Sequence, residues 1–152
     1  MILHFEHDNI KNKMKSKRLH QAIKIPEEII MTNKEKALEL IGTFASGDTV
    51  KAKELFAEDY IQHNTAISDG FSGLGAALET MAKQGIQMLY NKTHFVLADG
   101  DYALAVSEGT FGKAPTSYYD LFRVENGKIA EHWDVMETIA DETTWQNQNG
   151  KF

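Results

Sequence analysis

The sequence predicts an α+β fold: three N-terminal helices packed on one face of a curved antiparallel sheet. Two observations carry this. Between residues 32 and 85, apolar side chains recur at helical spacing in stretches opened by Thr, Asp or Ser and closed by Gly. From residue 93 the period shortens to two, and the dipeptides Asp99-Gly100 and Asn126-Gly127 join extended runs into hairpins. Helices gathered before a meander of strands indicate segregated layers rather than alternating βαβ units.

Each element has its own signal. Thr32-Asn33-Lys34-Glu35 fits a capping box, and Ala37, Leu38, Leu40, Ile41, Phe44 and Ala45 follow on one helical face until Gly47. Asp48 can cap a second, short helix carrying Val50, Leu55 and Phe56. Tyr60 to Asn64 reads as extended. Ser72 can cap a third helix with Leu74, Ala77, Leu78, Met81 and Ala82 inward, and Gly85 stops it. Four strands are expected over 93–98, 102–111, 117–125 and 128–137.

Length and composition set outer limits. At 152 residues the chain holds one domain's worth of core. The formal charge of −6 disfavours a general nucleic-acid binder, which needs a basic surface. The absence of Cys excludes disulfides, Cys-ligated zinc, iron–sulfur clusters and thiol catalysis. No apolar run approaches the ~20 residues of a membrane-spanning helix, and no phosphate-binding glycine loop occurs. Residues 1–30 are different in kind, with six basic and four acidic groups, whereas residues 31–152 hold ten and eighteen. The basic run Lys11–Arg18 lacks the apolar region of a secretory signal. The reading is a flexible extension, with Met31 opening the working domain, in a cytoplasmic protein. A targeting or RNA-binding arm is the other reading of that tail.

The Asn126-Gly127 turn sets an expected register. With a two-residue loop, Val124 faces Ile129, Phe122 faces Glu131, Leu121 faces His132 and Asp120 faces Trp133. One face then carries Tyr118, Asp120, Phe122, Val124, Ile129, Glu131, Trp133 and Val135. The other carries Tyr119, Leu121, Arg123, Ala130, His132, Asp134 and Met136. On the first face a carboxylate, Asp120, lies among aromatic residues. Burial there is costly unless the group is paired or protonated, and it is the setting of a general acid or base. Equally, Asp120 could bond to nearby hydroxyls or lie at an exposed rim. His63 and Asn64 follow the helix pair, where a pocket mouth can form. His132 and Asp134 share a face at i, i+2, but further metal ligands are not evident.

Two stretches carry a family resemblance: Phe56-Ala57-Glu58-Asp59-Tyr60-Ile61-Gln62-His63-Asn64, and Asp120-Leu121-Phe122-Arg123-Val124-Glu125-Asn126-Gly127 continuing through Lys128-Ile129-Ala130-Glu131-His132-Trp133-Asp134. Over residues 31–152 the chain resembles the SnoaL-like polyketide cyclases of the nuclear transport factor two-like superfamily. That superfamily also holds ketosteroid isomerases and limonene epoxide hydrolases. The resemblance implies a cone-shaped α+β barrel enclosing a hydrophobic pocket, often dimeric through its sheet. It places the cyclases' acid/base Asp at Asp120. It also shows departures: Asn64 stands where isomerases hold a general base, Leu40 where they hold an oxyanion Tyr, and the epoxide hydrolases' Arg/Asp/Asp set is not evident.

Three functions follow as expectations. In the first, Asp120, helped by His63, moves a proton next to a carbonyl of an apolar substrate in aldol-type cyclisation, isomerisation or a lyase step. Tyr60, Asn64, Tyr118, Phe122 and Trp133 then contact the substrate, with no metal or organic cofactor. In the second, the same pocket belongs to a non-catalytic module for a small apolar or carbonyl-bearing ligand. In the third, the His132, Asp134 and Arg123 face is buried in a homodimer and the pocket is vestigial. None involves nucleic acid or membrane.

Overall fold

Helix formation begins where the sequence supplies a cap. The computed structural model describes residues 31–152, so the extension expected over residues 1–30 lies outside the described residues. Helix α1 spans Asn33–Ser46: Thr32 accepts the Glu35 amide, and the Glu35 carboxylate takes the Thr32 N–H at 2.8 Å. Gly47, at φ 72°, closes the helix in the left-handed region. Asp48 then accepts the Lys51 amide and opens α2, Thr49–Leu55. The chain passes directly into strand β1, Phe56–Gln62.

Helix α3 spans Gly70–Lys83, and its cap is Asp69 rather than Ser72. Asp69 is extended and accepts the Gly70 amide, whereas Ser72 already lies within the first turn. The same carboxylate accepts the Gln62 amide at 2.8 Å, which ties the end of β1 to the start of α3.

Four long strands follow: β2 Met88–Asp99, β3 Tyr102–Phe111, β4 Ala114–Glu125 and β5 Lys128–Thr138. The sheet order is β1-β5-β4-β3-β2. Neighbours are antiparallel except β1, which pairs parallel with β5, so the sheet is mixed rather than wholly antiparallel. It does not close into a barrel, because β1 and β2 are separate edges. Strand β2 starts earlier than residue 93 because irregularities between Tyr90 and Lys92, and between Thr93 and Phe95, break the alternation that marks a strand. Helix α1 packs on β2 and β3, and α3 packs on β1. Ala37, Leu40, Ile41, Val96, Ala105, Phe122 and Ile129 are buried between these layers. Among the described residues, no helix is long and apolar enough to cross a membrane.

The Asn126-Gly127 turn forms as expected, with both residues at positive φ (51° and 74°). The register beyond it does not. Val124 faces Ile129, but Arg123 then faces Glu131, so Ala130 is an extra residue on β5. One inserted residue moves every later side chain of β5 to the other face. Asp120 therefore faces Asp134, not Trp133, and Phe122 faces His132. Two inner rows cross the sheet: Val96, Ala105, Asp120, Asp134; and Ala98, Ala103, Phe122, His132. The matching outer rows are Phe95, Val106, Tyr119, Val135; and Leu97, Leu104, Leu121, Trp133.

Candidate active site

The inner rows place two carboxylates side by side, Asp120 on β4 and Asp134 on β5. Facing them across the sheet, Ala103 and Ala105 take up little space. Over this region α3 and the loop 64–68 enclose a cavity of about 470 Å³. Phe44, Leu74, Leu78, Met81, Met88 and Phe111 form its apolar lining, while Gln62, Asn64, Tyr90, His132 and Asp134 converge as its polar wall. A mostly apolar cavity with a few convergent polar groups is the usual form of a small-molecule site.

The wall is wired in a fixed order. Asp120 is only 1% exposed. Its oxygens accept the Tyr90 hydroxyl at 3.3 and 3.2 Å, and Oδ1 lies 3.0 Å from His132 Nε2. On the other side of the imidazole, Nδ1 lies 3.5 Å from Gln62 Nε2. The Gln62 oxygen accepts the Asn64 amide at 3.0 Å, which turns the Gln62 nitrogen toward His132. In this arrangement Nδ1 accepts and the ring proton sits on Nε2, directed at Asp120. The His132 ring is held against Phe122, centroids 4.8 Å apart. Asn64 Nδ2 donates to both oxygens of Asp134 at 2.9 Å, and Asn64 Oδ1 accepts the Ala66 amide, so the side chain is locked in that direction.

Three buried tyrosines, Tyr60, Tyr90 and Tyr118, are held protonated. Burial, and then the Asp120 charge, pushes Tyr90 well above its ordinary value, so it remains a donor. Tyr118 is pushed up to about 12, chiefly by burial, and donates to the Thr110 carbonyl at 2.7 Å. Tyr60 is raised by burial first and then by the Asp134 and Asp69 charges; its buried hydroxyl has no partner.

The residues anticipated from sequence are distributed unevenly around this cavity. Asn64 lines it. Asp120 lies one layer behind the wall, reaching the cavity only through His132 and Tyr90. Tyr60, Tyr118 and Phe122 are buried core rather than lining. His63 and Trp133 lie on the outer face, where their rings stack at 4.2 Å and His63 Nε2 meets Glu131 Oε2 at 2.7 Å. For Trp133 the cause is the Ala130 bulge, which turns it outward; Tyr118 and Phe122 keep their expected face but are packed into the core. The same bulge divides the surface expected from His132, Asp134 and Arg123. The first two point inward, while Arg123 pairs with Glu131 outside, and His63 and Arg123 together hold the Glu131 carboxyl below its usual range. His132, Asp134, Gln62 and Tyr90 were not anticipated as cavity residues. The i, i+2 spacing of His132 and Asp134 was their signal. Among the described residues no three or more His, Cys, Asp or Glu side chains are grouped to hold a metal.

Comparison with known proteins gives a consistent family. The model of the SnoaL-like domain family matches residues 37–132. No curated protein matches the chain. Among solved structures, a Xanthomonas campestris protein of unknown function with a cystatin-like fold aligns at TM-score 0.60 and 24% identity, covering 74% of this chain and 94% of its own. IdmH, a candidate polyketide cyclase from Streptomyces antibioticus, aligns at 0.57 and 20% identity, covering 70% and 93%. A candidate ketosteroid isomerase from Kribbella flavida aligns at 0.61 and 15% identity, covering 78% and 91%. These identities speak for a shared fold.

Proposed function

We propose, from the premise that this chain belongs to the SnoaL-like domain family, that it is a small-molecule enzyme moving a proton at the carbon beside a carbonyl of an apolar substrate. The observation that carries the reading is the single polar wall of an otherwise apolar cavity, with the Asp134 carboxylate on it. The candidate polyketide cyclase and candidate ketosteroid isomerase among the structural neighbours support the same class of chemistry.

In this reading Asp134 is the base. Asn64 aims its carboxylate, leaving lone pairs toward the cavity. The proton passes from the α-carbon to Asp134, and the electron pair moves onto the carbonyl oxygen. Tyr90, kept protonated, is the hydroxyl at the wall that can turn from Asp120 to that oxygen. Asp120 is a positioning residue: it holds the His132 ring and receives Tyr90 between turnovers. The enolate is then reprotonated at another carbon, or attacks a second carbonyl in the same molecule. We also propose that the working unit is a homodimer joined through the outer sheet face.

The test is deuterium incorporation at the α-carbon of 2-tetralone in D2O, followed by NMR. The wild-type protein is expected to exceed the blank rate, and Asp134→Asn to lose on the order of 10²- to 10⁴-fold. Full exchange by Asp134→Asn would remove Asp134 from the role. Both acidic groups already have hydrogen-bond partners, as in a module that only orients a ligand. Binding of tetralone with no exchange above blank would establish that alternative.

A further inference from the structure

A second cavity of about 260 Å³ lies among α1, α2 and α3 and reaches the surface at the turn Gly47–Thr49. It adjoins the first across Phe44, Leu74, Leu78 and Met88, which line both. Its character is different. Two of its polar members are spent on the backbone: the Thr43 hydroxyl donates to the Leu40 carbonyl at 2.7 Å, and Asp48 accepts the Lys51 amide at 3.0 Å. The remaining lining is Ala52, Phe71 and the Gly75 backbone with the shared side chains, and Gly47 and Thr49 at the exposed mouth. A ligand occupying both cavities meets hydrogen-bonding groups at the β1–β5 wall and hydrocarbon among the helices.

We propose that this second cavity is a tail subsite, which takes the unbranched alkyl or acyl chain of a substrate whose carbonyl oxygen lies at Tyr90 and whose α-carbon lies at Asp134. The inference rests on the reading of the polar wall given above and names the substrate class for it: an amphipathic carbonyl compound with a linear apolar tail. The shared residues favour a slender chain over a ring. Met88 has three rotatable bonds and yields readily to a methylene chain. Gly75 adds nothing to the lumen, and a Cβ built there meets no atom within 4 Å. A larger residue at 75 is therefore accommodated by the helix and adds bulk at the subsite's wall.

The experiment is calorimetric titration of the whole chain with 2-alkanones from six to fourteen carbons. In the wild type, affinity is expected to rise roughly three- to fourfold per methylene through the series. In Gly75→Leu the rise is expected to stop at shorter chains, with the short members binding as in the wild type. Thr49→Trp, at the exposed mouth, is expected to cut off only the longest members. An affinity in the wild type that levels off at the same length as in Gly75→Leu overturns the proposal, as does an unbroken rise in both variants. Absence of alkanone binding overturns it too. The readout is binding, so it separates from the catalytic reading: a tetralone exchange at the blank rate, with chain-length dependence intact, removes the enzyme and leaves the subsite.

Discussion

Asp120 shows what a single buried carboxylate demands of its surroundings. Its oxygens are satisfied by Tyr90 and His132, and both donors are themselves buried. Replacing it with Ala removes the acceptor for two buried donors. Each orphaned donor costs about 1–3 kcal/mol. Asp120→Ala is therefore expected to destabilise the protein by roughly 2–5 kcal/mol in urea unfolding, and a loss below about 1 kcal/mol would show that the network is not formed. Its importance was legible in the sequence, because a carboxylate between Tyr118 and Phe122 is an anomaly on an apolar strand face. Its role was not, since depth below the cavity depends on what β5 sets in front of it. His132 and Asp134 supply that screen, and they were assigned to the opposite face.

At the scale of elements, that reversal comes from the Ala130 bulge. The sequence carries one mark of it: Ile129 and Ala130 are consecutive and both buried, which a regular half-buried strand does not allow. Two apolar residues in succession are too common to place a bulge without knowing the partner strand. The start of β2 was hidden for a related reason, as its irregularities set polar Asn91 and Lys92 next to each other. Gly109 holds this region together on the partner strand. A Cβ there would stand 1.7 Å from the Leu89 carbonyl oxygen and 3.2 Å from the Tyr118 ring. The β2–β3 pairing would have to part to admit it. Gly109→Ala is expected to cost on the order of 3 kcal/mol, seen as a lowered melting temperature, because overpacking against backbone cannot be relieved by a rotamer change. A variant melting with the wild type would show that the two strands are further apart than described.

For the folded region as a whole, the outer sheet face is the feature that shows exposed large apolar side chains among the described residues. Its rows are apolar across four strands, and Phe95, Leu97 and Val135 are 46%, 60% and 64% exposed. Contiguous apolar surface of this kind marks an association site. Light scattering at micromolar concentration is expected to give twice the chain mass, and Leu97→Asp to give the monomer. A wild-type monomer would remove the homodimer from the proposal.

The sequence by itself determined the elements and the family. Caps, helical periodicity and turn dipeptides are local signals, and they placed α1, α2, α3 and the β4–β5 turn within a few residues. The stretch from Asp120 to Asp134 and the one ending in Asn64 carried the SnoaL-like resemblance. Only the tertiary structure decided which side chains meet. A strand's side chains alternate with a period of two, so one extra residue exchanges inside for outside along all that follows. That residue is admitted because Ala130 is small enough to be buried next to Ile129, a matter of packing rather than local preference. It moved Trp133 out of the site and brought His132 and Asp134 into it.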